Sequence, residues 1–199
     1  MTDSVGSRKS AVGSTWKCST KYVRYAWGVA FALASIVTQS SCGTRTDGAA
    51  ATDGRVEIGL PAPAYATLSL NGDSVSLAGE RGKVVLLNIW ATWCHPCRAE
   101  IPELRQLHER YRAKGLELVG VSVDADGTDE VIRGFMRDFQ MTFPIWRDPD
   151  ERISSLFLTL GVPATFLIDK EGVLRWRKTG PIAPNDTSLS AAIERALGS

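Results

Sequence analysis

The chain has 199 residues, 44% apolar and 23% charged, with a net charge of +1. This length and composition fit one globular domain of ordinary core size plus an appendage, and exclude a largely disordered chain. From residue 43 onward the balance is −3, with neither a basic patch nor an internal repeat, so no nucleic-acid partner is expected.

Residues 1–24 carry Arg8, Lys9, Lys17, Lys21 and Arg24 against Asp3, and residues 25–37 (YAWGVAFALASIV) form an uncharged apolar run of 13 residues. A cationic stretch before such a run has the form of an export signal, and the run is short of the roughly 20 residues that a membrane-spanning helix needs. Thr38-Gln39-Ser40-Ser41-Cys42-Gly43 follows and resembles a bacterial lipobox, in which Cys42 would be acylated and become the new N-terminus. The departure is Gln39, where such signals usually carry an aliphatic residue. The alternatives are cleavage near residues 49–51, retention as an anchor, or a buried structural cysteine. Cys18 lies among the cationic residues, on the cytoplasmic side by the positive-inside rule. Residues 1–42 are therefore read as an export signal. Residues 43–55 (GTRTDGAAATDGR) are small and polar, and read as a tether to a domain over 56–199.

Within that domain, Leu68–Leu70 and Val75–Leu77 flank Asn71-Gly72, which predicts a hairpin with a two-residue turn. Residues 83–90 (KVVLLNIW) read as a central strand buried on both faces. A helix is predicted from Pro96 to Lys114, with proline in its first turn and Gly115 just past its end. Ile101, Leu104, Leu107 and Tyr111 supply its apolar stripe, and Pro102 is expected to kink it. Residues 116–123 (LELVGVSV) form the next strand. Residues 128–139 form a helix with Val131, Ile132, Phe135 and Phe139 inward. A short strand over 143–146 and a helix over 151–160 precede a hairpin, 165–169 with 173–177, and a last helix over 187–197. Strands alternating with helices, closed by an antiparallel hairpin, imply an α/β fold with a mixed central sheet flanked by helices.

Setting Cys18 and Cys42 aside leaves Cys94 and Cys97, in Trp93-Cys94-His95-Pro96-Cys97. Two thiols at this spacing are a redox pair or half a metal site. They fall where the buried strand ends and the helix begins, where unpaired amides and the positive end of the helix dipole stabilise a thiolate. Cys94 is expected to be the reactive thiol and Cys97 to close a disulfide against it, releasing a mixed-disulfide partner.

Residues 88–97 (NIWATWCHPC) resemble the active-site segment of the thioredoxin superfamily, and specifically the TlpA/ResA-type membrane-tethered thiol-disulfide oxidoreductases. Pro102 lies where thioredoxins carry a helix-kinking proline, and residues 161–169 (GVPATFLID) resemble the family's cis-proline loop and following strand. The resemblance implies a thioredoxin-like fold over roughly residues 57–199, a cis Pro163 facing the cysteines, and a Val162 backbone that pairs with a substrate strand. It makes Glu100 the acidic residue near the thiols, able to take the Cys97 proton; the alternative is a surface charge on the first helical turn. Thioredoxin has an aspartate where this chain has Asn88, so a titrating group is absent there. Trp93, His95 and Pro96 complete the expected docking surface. A protonated His95 would make the disulfide more oxidising, whereas Pro96 is typical of reducing members.

The implied activity is disulfide exchange with cysteine pairs of exported proteins, as a reductant recharged by a membrane thiol carrier and serving haem-binding or copper-binding cysteines. The protein would work outside the cytoplasm, held at the membrane by a lipid or N-terminal anchor, as a monomer. No organic cofactor is expected, since the electrons reside in the sulfurs. A peroxiredoxin-type thiol peroxidase would carry proline and threonine where Leu87 and Ala91 stand. A copper-binding assembly module would add a histidine to the two thiolates, but His108 lies 11 residues beyond Cys97, about 16 Å along a helix. No resident metal is expected, because structural zinc would need a second ligand pair.

Overall fold

In the computed structural model, which describes residues 55–198, the apolar run after Lys83 becomes the central strand of a seven-stranded sheet. The export segment, Cys18, Cys42 and the tether up to residue 54 lie outside the described residues. The strands are β1 (Ala66–Ser69), β2 (Ser74–Ser76), β3 (Val84–Trp90), β4 (Leu116–Ser122), β5 (Ile145–Arg147), β6 (Ala164–Ile168) and β7 (Leu174–Thr179). The helices are α1 (His95–Tyr111), α2 (Asp129–Asp138), α3 (Arg152–Leu156) and α4 (Thr187–Gly198). The sheet order is β2-β1-β5-β4-β3-β6-β7, with β3, β4 and β5 parallel and the other pairs antiparallel. This is the mixed α/β architecture expected from the sequence.

Every residue of β3 is buried, because helices cover one face of the sheet and further chain covers the other. Asn88 meets Glu100 of α1, and Trp90 packs its ring at 5.1 Å from Phe135 of α2. On the opposite face Phe166, across from Leu87, packs at 4.8 Å from Phe157, which follows α3. Among the described residues no helix is long and apolar enough to cross a membrane.

Four local expectations need correction. The first hairpin closes through a three-residue loop, Leu70-Asn71-Gly72, with Gly72 at φ +90°. The Ser69 hydroxyl accepts from the Asn71 and Asp73 amides and so favours this wider turn, in which the glycine takes the left-handed position. Leu77 leaves the strand for a short 3₁₀ turn capped by Ser76. Val131 is 58% exposed, because it sits about a quarter turn around α2 from the stripe formed by Ile132, Phe135 and Phe139.

Fourth, α3 ends at Leu156, four residues before the predicted stop. Leu158 adopts φ +52° and the Thr159 amide bonds back to the Ser154 carbonyl at 2.9 Å, the helix-ending arrangement that glycine usually serves. Since a leucine occupies that position, the sequence carries no stop signal there.

Candidate active site

At the end of β3 the chain turns through residues 91–94 into α1, and Cys94 is the N-cap of that helix. Its Sγ accepts from the Cys97 amide at 3.2 Å, the role that a serine or aspartate oxygen plays at most helix starts. The first turn thus aims an otherwise unpaired N–H at sulfur, with His95 and Pro96 filling the next two positions. Cys94 and Cys97 are joined as a disulfide with their Cα atoms 5.3 Å apart, and both residues are buried. Trp93, His95 and Pro96 are exposed around them.

Glu100, one turn beyond Cys97, is only 1% exposed, which overturns its alternative reading as a surface charge. Its Oε1 accepts from the Asn88 side-chain amide and its Oε2 from the Ile182 backbone N–H, both at 2.8 Å. Asn88 donates a second bond, 3.0 Å, to the Thr165 hydroxyl. Burial pushes the Glu100 carboxyl up to about 7; the Ile182 and Asn88 donors and the Lys178 charge oppose that shift without cancelling it. A titratable group is therefore buried one helical turn beyond Cys97. It comes from α1, and Asn88 on β3 holds it.

A second buried carboxylate fixes the loop before the cysteines. Asp124, just past β4, accepts from the Thr92 amide with both oxygens (3.0 and 3.1 Å), from the Thr92 hydroxyl at 2.6 Å and from Ser122 at 2.8 Å. From the other side, the Arg98 guanidinium donates twice to the Thr92 carbonyl, at 2.7 and 3.2 Å, and lies over the Phe135 ring. The sequence reading missed Asp124, Arg98, Thr165 and Ile182. Only Asp124 left a trace there, as a charge directly at the end of a buried strand.

The Val162–Pro163 peptide is cis, as the resemblance implied. Ile89 pairs with Ala164, so continuing the register sets Pro163 opposite Trp90, at the end of the sheet from which the cysteine loop departs. Neither the N–H nor the C=O of Val162 makes a hydrogen bond among the described residues. Cys42 lies outside the described residues. His108 is half-buried on the far part of α1, with its ring 6.0 Å from Phe143, and no group of three His, Cys, Asp or Glu side chains among the described residues is placed to hold a metal.

The model of the AhpC/TSA family matches residues 58–177. The thiol-disulfide oxidoreductase ResA of Geobacillus kaustophilus is 35% identical over 144 residues, 72% of this chain and 78% of its own length. ResA of Bacillus thuringiensis is 36% identical over 118 residues, 59% of this chain and 67% of its own. Among solved structures, a Chlorobium tepidum protein assigned as the thiol:disulfide interchange protein DsbE is 33% identical, with a TM-score of 0.66 over 72% of this chain and 100% of that one. A thiol:disulfide interchange protein from Bacteroides sp. is 26% identical, with a TM-score of 0.62 over 72% and 92%.

The raised Glu100 value ties stability to pH. Below its ordinary value of 4.5 the carboxyl is protonated in both folded and unfolded chains. Between pH 4.5 and about 7 the unfolded chain releases a proton that the folded protein keeps, so stability falls as pH rises through that window, by on the order of 3 kcal/mol. Glu100→Gln cannot titrate, and urea unfolding of the oxidised variant at several pH values is expected to lack this decline. Parallel declines in wild type and variant would assign the titration to another group.

Proposed function

The chain belongs to the AhpC/TSA family as a thiol-disulfide oxidoreductase of the ResA type, and on that premise we propose that it reduces cysteine pairs of exported proteins with Cys94 as nucleophile, Cys97 as resolving thiol and Glu100 as proton acceptor. The Cys94 thiolate attacks one sulfur of a partner disulfide; that S–S bond breaks, the first partner thiol leaves and a mixed disulfide forms. Cys97 then gives up its proton and attacks the Cys94 sulfur, releasing the second partner thiol. Two electrons have moved from the Cys94/Cys97 pair to the partner, and the pair is left as a disulfide.

The observation that carries this reading is the Cys97 N–H on Cys94 Sγ, a donor fixed by the helix start and ready to stabilise negative charge on that sulfur. Glu100 lies one turn from Cys97 and titrates near neutrality, so it can take the Cys97 proton during resolution without a large energetic mismatch. Trp93, His95, Pro96 and the unbonded Val162 backbone form the docking surface, with Pro163 beside the sulfurs. The reducing direction is supported by Pro96, since solvent around exposed His95 screens any charge there.

The substrates fitting this reading are haem-binding or copper-binding cysteine pairs, as in cytochrome c or copper-site maturation, with a membrane thiol carrier returning the electrons. No organic cofactor takes part. The cationic and apolar residues 1–37 followed by Cys42 support work outside the cytoplasm on a membrane tether. A peroxidase reading is weaker, because Leu87 and Ala91 bring wholly buried apolar groups to the positions where that chemistry uses proline and threonine.

Three measurements test the proposal. Cys97→Ala is expected to accumulate mixed disulfides with its partners and Cys94→Ala none; equal trapping by both would remove Cys94 from the nucleophile's role. Equilibration of the Cys94/Cys97 couple against dithiol buffers is expected to give a potential near the roughly −270 mV of thioredoxin, whereas a value near the roughly −120 mV of DsbA would make the protein a disulfide donor. Cys42→Ser is expected to move the protein from the membrane to the soluble fraction, and unchanged partition would favour an uncleaved anchor.

A further inference from the structure

The segment between α3 and Pro163 presents leucines to solvent where folding gives no reason for them. Leu158 is 58% exposed, Leu160 is fully exposed and Leu156 at the end of α3 is 41% exposed. Leu158 also holds φ +52°, a left-handed conformation that strains a leucine and that glycine would adopt freely. The loop is pinned in this shape by Phe157, which is wholly buried against Phe166, and by the bond from the Thr159 amide to Ser154. A leucine on a strained backbone with most of its surface exposed contributes little to the fold.

Two further observations place a ligand there. The loop runs directly into the Val162 peptide, whose N–H and C=O are unbonded among the described residues, at the end of the sheet where Trp93, 65% exposed, precedes Cys94. In addition, residues 153–168 contain no charged side chain, so this stretch offers a partner apolar and uncharged polar contact together with backbone pairing. A charged partner segment would lose hydration against it and gain no counter-charge.

We infer that Leu158 and Leu160 select the substrate: the partner's cysteine pair lies in an extended, uncharged, apolar segment that pairs with the Val162 backbone and sets apolar side chains on these leucines and Trp93. This rests on the oxidoreductase reading above and adds the substrate's local chemistry to it. Reduction proceeds by the two exchanges already described. The leucines touch the segments flanking the reacting sulfurs and leave the Cys94/Cys97 couple alone.

The test uses the reduced full-length protein and two synthetic peptides with the same internal Cys-x-x-Cys disulfide, one flanked by Leu and Val and the other by Ser and Asp. Wild type is expected to reduce the apolar peptide with a kcat/KM on the order of tenfold higher. In the double variant L158N/L160Q, where asparagine suits the left-handed backbone, that ratio is expected to fall to near one with the reduction potential unmoved. Leu68→Gln, a 50% exposed leucine on β1, is expected to keep the wild-type ratio. A wild-type ratio near one, or a ratio preserved in the double variant, overturns the inference. So does sedimentation of the wild type as a dimer that the double variant abolishes, which would assign the leucines to a second copy of the chain. A disulfide that dithiothreitol cannot reduce would instead overturn the oxidoreductase reading, and the inference with it.

Discussion

The buried carboxyl of Glu100 is the point on which the site's geometry hangs. Through Asn88 it is tied to the central strand, through its own backbone to the helix that carries both cysteines, and through Ile182 to the segment leading into α4. Asn88 extends the network to Thr165, two residues past the cis proline. One charge-capable group thus joins the cysteine helix, the strand before it and, through Asn88, the strand that follows the cis proline. In a low-dielectric interior such a network is stiff when every member is bonded and costly when one is missing. The same burial that makes Glu100 structurally expensive pushes its carboxyl up to about 7.

Polar side chains also fix the loop above that network. Asp124 takes the Thr92 amide and hydroxyl, and Arg98 takes the Thr92 carbonyl, so one residue two positions before Cys94 is gripped from opposite sides. Arg98 sits on α1 one turn after Cys94, and its guanidinium is turned toward the loop rather than free in solvent. Side chains therefore set the relation between strand end and helix start, which loop backbone alone would leave loose. Holding two sulfurs within bonding reach through cycles of oxidation and reduction requires such support.

Much of this was legible in the sequence because it is local. The apolar run of β3, the cysteine pair at its end, the proline-to-glycine span of α1 and the hairpin around Gly172 each announce themselves within about twenty residues. What failed was either conformational or long-range. Leu158 ends α3 in a left-handed conformation at φ +52° without the glycine that would have marked it. The Glu100 network joins residues 12, 77 and 82 positions apart, which no spacing rule connects. A clue was nevertheless present, since Glu100 falls on the same helical face as Cys97, Leu104, Leu107 and Tyr111, all buried. An acidic residue on an apolar stripe was the signal that this carboxyl belongs to the interior.

On the proposed reading, the arrangement divides reactivity from selection. On the helix side of the disulfide lie polar groups: the Cys97 amide on Cys94 Sγ, Glu100 one turn beyond Cys97, and Arg98 behind Thr92. On the loop side lie Trp93, the leucines and the open backbone of Val162, with no charge across residues 153–168. The leucines belong to the segment before β6 and Glu100 to α1, and the side-chain contact that links the Glu100 network to β6 is the Asn88–Thr165 bond. On the proposed reading, residues before Pro163 can change without breaking the bonds of Glu100, because Leu158 and Leu160 make none of them.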